Sequence, residues 1–544
     1  MDLRRIRKEF TSVKSRLDKS RPFARFQPLV FVALAILCLP LSTALLFINY
    51  LYILLFGRGR SRKSKATPAR TILLSGINTA QGLKLARAFH QNGHKVVGVD
   101  YEPMCFPIHV RFSSALTRFY RLRPVPEQRR APAYIRTLNY IIEQETVDVW
   151  IDCTTGVDPT VEGHARTVIE QTTSCRCFAL RMDDIAHFAS RDSCLAWLRS
   201  MDLPVPEIHS IKSRDEVHHV LNKSRGSRRY MLYSPGHGPA GVEVSSMRTL
   251  LPRRTLSQTY HALSLVPIQK TSSELWRLEQ ITEGLPRYSA FAVVVRGRVT
   301  AFSASRQRGQ AYLEPIDATA AFGHGLLRIV QTFAKHQGDD FTTHIGFDCC
   351  VDEQLTDGGI VQKILILGTS VQSLASVLSF QGPFATDSLC RAYLSCLSDD
   401  VDDKNTRIET LQNSSTAPGI QAVSAPEVVT PNPSSAPVYC FGQDLLKLGY
   451  EPLLSWMSLK SACTFAHVVQ SWLSFLKHLV FCQDDIYDIY DPLPFWWSYQ
   501  VYVPLRLLTA TFRGEIERDL CGTRRVCDYV NEGENGLAKE APTM

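Results

Sequence analysis

The sequence predicts a parallel α/β unit followed by an α+β unit, both carried behind an apolar N-terminal segment long enough to cross a bilayer. Three observations lead there. Residues 28–56 contain no charged side chain. Residues 71–100 then read as strand, turn, helix and strand, through TILLSG, the amphipathic LKLARAFHQNG and KVVGVD, the alternation of a parallel sheet. Beyond residue 206 the texture changes to strand-like runs, two of them joined by a hairpin signal.

The basic tail, 1–27, comes first. Residues 1–25 carry nine Lys or Arg against three acids, and the linker 57–70 carries six against none. The net charge of +9 therefore sits beside the apolar segment, and the remaining body is close to neutral. No basic stripe is left for nucleic acid, which is excluded as a partner. A bilayer core of about 30 Å is crossed by about 20 helical residues, so 28–56 is long enough. The run ends in Leu-Leu-Phe-Gly-Arg rather than at a small-residue cleavage site, which argues against a removed signal peptide. Both flanks are positive, so orientation stays open between a tilted single span and a re-entrant hairpin broken at Pro40. Membrane lipid is the expected partner in either case.

The 15 cysteines are scattered, with Cys349 and Cys350 adjacent and no C-x-x-C pair, so neither a zinc site nor a disulfide framework is indicated. Reduced thiols are expected.

The first folded unit spans 71–190. Further strands are expected at VDVWIDC (147–153) and CRCFALR (175–181), with a helix around 133–145. Gly76 and Gly82 lie between the first strand and its helix, and Asp100 ends the next strand, an arrangement that can seat a phosphate at a helix N-terminus and a ribose on the carboxylate. The spacing is not G-x-G-x-x-G, and no Tyr is followed by Lys four residues later. Tight strand-to-helix packing explains the glycines equally well.

The second unit spans 191–396. A helix at 191–200 and the turn Leu203-Pro204-Val205-Pro206 precede strands at 229–233, 275–281, 288–305 and 343–351, with Arg296-Gly297 as a hairpin turn and helices at 318–336 and 371–380. Residues 397–437, rich in Ser, Pro, Asp and Asn, are expected to be a disordered linker. The extension 438–544 holds two apolar stretches, 465–482 and 492–512. These suit either a membrane interface, with Trp496 and Trp497 as anchors, or packing on the body.

The order RDSCLAWLRSMDLPVPE (191–207), YMLYSPGHGPAGVEV (230–244), LEQITEG (278–284), GFDCCV (346–351) resembles the landmarks of the ATP-grasp superfamily of ligases. The phrases YSAFAVVVRGRVTAFSAS and DPLPFWWSYQVYVPLRLL resemble ATP-grasp proteins of fungal secondary metabolism. The likeness covers about 70–515 without the linker, and rests on order and texture more than on one motif. It implies a Rossmann-like pre-ATP-grasp domain followed by an ATP-grasp domain. It implies ATP and Mg²⁺ as cofactors, and an acyl-phosphate formed on a carboxylic or amino acid and then displaced by an amine. Other enzymes of the pathway are implied as partners, and ATP use places the body in the cytosol.

Residue by residue, the resemblance gives Arg191 the first phosphate contact; otherwise it is a surface Arg opening a helix. Gly236, Gly238 and Gly241 become a loop whose N–H groups cover phosphates; otherwise they form a plain loop between strands. Glu279, Gln280 and Ile281 become the hinge whose backbone reads adenine, with Glu279 or Glu283 on the ribose. Asp348 becomes the first Mg²⁺ ligand.

Two departures stand out. Tyr233 occupies the place of a second phosphate Lys and supplies no cation. Where a Glu and an Asn should complete the metal site, the register counted back from Phe380 gives Gly368 and Ser370; Lys363 is the nearest other charge. A slow or altered ligase, a pseudoenzyme kept for binding, and a gene model mistaken over 352–372 all remain open.

Overall fold

The computed structural model describes residues 21–56, 68–102, 106–123, 127–155, 158–188, 190–224, 228–233, 248–268, 275–308, 312–356, 359–371, 374–397, 428–457 and 464–513. The chain divides into two units. Unit 1 holds Met1–Ala189, Ser289–Gly346 and Ser370–Met544; unit 2 holds Ser190–Tyr288 and Phe347–Thr369.

Unit 1 begins with a helix over Arg21–Phe56 that runs through Pro40 without a break. The hairpin broken at Pro40 is therefore not what forms. A proline removes one N–H and crowds the preceding turn, and here the Ser42 and Thr43 hydroxyls donate to the Leu39 carbonyl just before it. Next comes a five-stranded parallel sheet of β1 (Thr71–Ser75), β2 (Lys95–Tyr101), β3 (Arg118–Leu122), β4 (Val149–Asp152) and β5 (Arg176–Phe178), in the order β3-β2-β1-β4-β5. Its central strands β1, β2 and β4 are buried on both faces because helices cover both.

The glycine turn after β1 has a structural explanation. Gly76 has φ +64, and a Cβ there would lie 2.2 Å from the Thr154 Cα. Asp100 accepts the N–H of Asn78 at 2.7 Å and of Tyr101 at 2.6 Å, while the Thr79 hydroxyl caps the following helix by accepting from Gly82. Asp100 thus serves as a half-buried backbone cap, and internal packing accounts for Gly76, Gly82 and Asp100. Nearby, Asp152 accepts from the Ser75 hydroxyl and the Thr154 N–H, and the His344 Nε2 lies 2.7 Å from its carbonyl.

A second sheet is formed by β10 (Arg287–Val295), β11 (Arg298–Arg308), β12 (Tyr312–Ile316), β13 (Thr343–Thr356), β14 (Gly359–Ser370), β15 (Val438–Tyr439) and β16 (Gln483–Asp484), in the order β14-β13-β10-β11-β12-β15-β16. Arg296 and Gly297 both take positive φ, as a two-residue hairpin turn requires. The helix expected at 371–380 is instead a short 3-10 turn, Ala375–Ser379. Its Ser376 hydroxyl donates to the Ser289 carbonyl, and its Ser376 carbonyl accepts from Ser303. These cross-links to the sheet outweigh helix propagation in a Ser- and Val-rich segment. The true helix follows at Gly382–Leu394.

The C-terminal extension is built into unit 1. Buried Arg87 donates to the Asp491 carboxylate at 3.0 Å and to the Ile486 carbonyl at 2.7 Å, and Ser113 and Ser114 bind the same carboxylate. Trp497 donates to the Pro107 carbonyl and packs on Phe112 with ring centroids 4.3 Å apart. Cys440 is disulfide-bonded, which corrects the expectation of reduced thiols at that position. The other described cysteines form no disulfide.

Gly76→Ala should lower stability by roughly 2–4 kcal/mol in urea unfolding, since it combines a main-chain clash with positive φ. A second expectation concerns pH. Burial pushes the Asp100 and Asp152 carboxyls up to about 6. Both are therefore protonated in the fold where the unfolded chain has lost its protons. Their contribution is complete below the ordinary carboxylate pKa and is lost as pH rises through about 6. Asp152→Asn, which keeps an acceptor oxygen, should gain in melting temperature relative to wild type as pH is raised from about 4 to about 7.

Candidate functional site

Unit 2 is organised by a four-stranded antiparallel sheet of β6 (Ile208–Ile211), β7 (Tyr230–Tyr233), β8 (Arg248–Leu251) and β9 (Trp276–Gln280), in the order β6-β9-β7-β8. Successive side chains on a strand point to opposite faces, and β7 and β9 obey that period. Tyr230, Leu232, Trp276, Leu278 and Leu251 face a core completed by Ile211, Val217 and Leu263. The opposite face presents Met231, Tyr233, Arg277 and Glu279, all half-buried.

Cross-strand register brings Tyr233 opposite Arg277 and Met231 opposite Glu279. The helix Arg191–Ser200 adds its first turn. Arg191 donates to Glu279 Oε1 at 2.5 Å, and Arg277 reaches Glu279 Oε2 at 3.2 Å. Arg277 also grips Asp192 through two bonds of 2.5 and 2.7 Å, the fork geometry in which Arg binds a carboxylate most firmly. Two guanidiniums therefore converge on one carboxylate on the open face of the sheet.

Arg191 and Glu279, singled out from sequence, meet here directly. Arg277 is a cation the sequence reading missed, although the alternation in Trp-Arg-Leu-Glu-Gln already places it on the face of Glu279. It stands in register with Tyr233, the position where a Lys was expected.

Gln280 points the other way. Its side chain is buried, accepting from the Glu207 N–H and donating to Asp352 at 3.3 Å. The main chain is committed too: the Gln280 N–H goes to the Glu207 carbonyl, and the Ile281 N–H to the Arg229 carbonyl at 2.8 Å. Glu283 is exposed in the turn before Gly284, which has φ +85. Gly236, Gly238 and Gly241 lie outside the described residues.

Behind this face a second ionic group holds the strand ends. Glu207 binds Arg228 and accepts from the Tyr230 hydroxyl at 2.7 Å. Burial works to raise its carboxyl, but the hydrogen bonds and the Arg228 charge prevail and hold it below the usual range.

Asp348 is buried on β13, and Gly368 is buried on β14. Among the described residues no group of three His, Cys, Asp or Glu is placed to hold a metal ion. Mg²⁺ needs several oxygen ligands at short range, and a glycine contributes none through a side chain. Among the described residues Asp348 has no three-ligand protein cluster around it, so a Mg²⁺ held there would take its remaining oxygens from phosphate and water.

No protein-family profile matches the chain, and no curated protein does. Among solved structures it is similar to N5-carboxyaminoimidazole synthetase from Staphylococcus aureus complexed with ADP, at TM-score 0.39 and 12% identity over 60% of this chain and 78% of that one. The biotin carboxylase subunit of pyruvate carboxylase gives TM-score 0.44 and 11% identity over 60% and 70%. N5-carboxyaminoimidazole synthase from Aspergillus clavatus, in complex with ADP and 5-aminoimidazole ribonucleotide, gives 0.37 and 14% over 60% and 77%. Likeness at this level says nothing of chemistry.

The ionic network can be checked by itself. Glu279→Ala leaves two partly buried guanidiniums without their shared acceptor, and should destabilise unit 2 by roughly 1–3 kcal/mol. Arg191→Ala should cost less. The double variant should cost less than the sum of the singles in urea unfolding, the signature of a shared contact.

Proposed function

We propose that the protein is a membrane-anchored, ATP-grasp-type ligase-like protein whose unit 2 binds ATP on the open face of its four-stranded sheet. The observation that carries this is the convergence of Arg191 and Arg277 on Glu279, with Tyr233 in register beside them. Two guanidiniums in one place suit the oxygens of a polyphosphate, which accept paired N–H groups as carboxylates do. A phenol ring next to them offers a base a flat apolar surface. In this reading phosphate oxygens compete with Glu279 for the cations, so the carboxylate keeps both side chains extended and ready until nucleotide arrives.

The activity proposed is ATP-dependent activation of a carboxylate and its ligation to an amine, in a biosynthetic setting, with the anchor supplied by Val32–Phe56. That segment has a mean hydropathy of 2.2, and none of it is buried. A second reading is a pseudoenzyme that retains the nucleotide face as a tethered binding scaffold. The specific observation favouring it is that, among the described residues, no three-ligand cluster gathers around Asp348, with Gly368 where the resemblance puts a Glu.

Thermal unfolding of the detergent-solubilised full chain separates these outcomes. ATP at one hundred times its Kd should stabilise the fold by about 2.7 kcal/mol, and the shift should shrink for AMP and vanish in Arg191→Ala/Arg277→Ala. No shift at millimolar nucleotide removes both readings. Release of ADP dependent on a carboxylic or amino acid selects the ligase; binding without release selects the scaffold. In the ligase case Asp348→Asn should abolish turnover while leaving the thermal shift largely in place.

A further inference from the structure

The two apolar stretches of the C-terminal extension have different fates. The second, over residues 493–513, is packed into unit 1: Trp497 is tied to Pro107 and Phe112, and Tyr502, Val503 and Leu507 are buried. The first forms the helix Phe465–Phe481, whose apolar surface is wider than the side it packs on the body and is bordered by a polar stripe of His467, Gln470, Ser474 and Lys477. Its inner side is held against the body by buried Val468 and Phe475, by the His478 Nδ1 at 2.7 Å from Asp444, and by the stacking of His478 on Tyr312 at 4.7 Å. The outer side carries Val469, Trp472, Leu473, Leu476 and Val480 at helical spacing, between 40% and 71% exposed, and Phe481 beyond them at 69%.

A broad apolar helix face belongs against a protein core or in lipid. Here one side has its core and the other has none.

We infer that this outer face is a second membrane contact, lying in the plane of the interface beside the N-terminal anchor. Continuity with the anchor argues for lipid over any other occupant. The Asn49 amide of the anchor helix donates to the Tyr487 hydroxyl at 2.8 Å, only a few residues beyond Phe481. The anchor itself is half-covered along one stripe that includes Ala35, Ser42, Leu46, Asn49 and Ile53, and leaves Leu37 and Phe47 exposed at 75% and 69%.

The chemistry of the face agrees. Phe465–Phe481 contains no Asp or Glu and a single Lys, Lys477, whose stem can follow the apolar surface while the ammonium reaches a headgroup. Trp472 has the amphipathic ring favoured at that depth. The inner side is fixed to unit 1, so the helix cannot cross the bilayer and must lie along it, with its outer side in the headgroup and acyl boundary.

This inference rests on the anchoring reading, and the experiment separates their failures. The full chain is reconstituted into phosphatidylcholine and phosphatidylserine vesicles with a photo-crosslinking side chain introduced, one at a time, at Leu45, Leu476 and Phe384. Phe384 is 80% exposed on another helix of unit 1. Lipid adducts at Leu45 and Leu476 but not at Phe384 are expected, with the yield at Leu476 at least several-fold above that at Phe384.

Adducts at Leu45 with none at Leu476 overturn the interfacial contact and leave the anchor standing. Loss of adducts at both positions overturns the anchor as well. A protein adduct at Leu476, whether to a second copy or to residues 514–544 of the same chain, also overturns the lipid assignment. With the photo-crosslinking side chain at Trp472 instead, Leu473→Glu/Leu476→Glu, two outward positions, should reduce lipid labelling without changing the melting temperature in detergent.

Discussion

Glu279 is the carboxylate on which the open face of unit 2 is built. It sits on the central part of a sheet whose other face is a closed apolar core, so its side chain has one direction to go, and Arg277, two residues earlier, must go the same way. The helix beginning at Arg191 delivers the third member, and Asp192 fixes Arg277 by a two-point grip. Remove the carboxylate and the two guanidiniums repel one another across a partly desolvated surface. Its presence lets the chain hold two positive charges close together in the absence of any ligand, the arrangement an anion-binding surface needs beforehand.

Unit 1 solves a different problem with the same residue types. Asp100, Asp152 and Glu162 lie among apolar strands and helices without a full cationic counterweight, and burial drives their carboxyls upward. Asp100 is satisfied by main-chain N–H groups, Asp152 by Ser75 and Thr154, and Glu162 meets the Tyr134 hydroxyl at 3.1 Å. These side chains close turns at the carboxyl ends of β1, β2 and β4. In the glycine turn after β1, Asp100 and Thr79 are used within the fold although the turn looks like a nucleotide loop.

The extension beyond residue 437 is an integral part of unit 1, because the buried Arg87 takes its counter-ion and two carbonyl partners from residues 486–491. A buried guanidinium stripped of these partners would carry a heavy desolvation cost. The same buried contact orients the chain leading out of Phe465–Phe481 and places Tyr487 against the anchor helix. One ion pair in the core thereby links the α/β sheet, the extension and the apolar N-terminal helix.

The sequence by itself determined the local architecture. Period-two and period-3.6 patterns marked β1, β2, β9, the β10–β11 hairpin and the helix after β1, and the charge-free run marked the apolar N-terminal helix, because these signals arise between near neighbours. It also named Arg191 and Glu279, and it flagged Tyr233 and Gly368 as departures. Only the tertiary structure decided that Arg277 shares Glu279 with Arg191, that Asp100 is a cap, that residues 375–379 stop short of a helix, and that the two apolar stretches of the extension face different surroundings. Those outcomes turn on contacts between residues tens to hundreds of positions apart, and no local pattern records which distant partner will satisfy a buried charge or cover an apolar face.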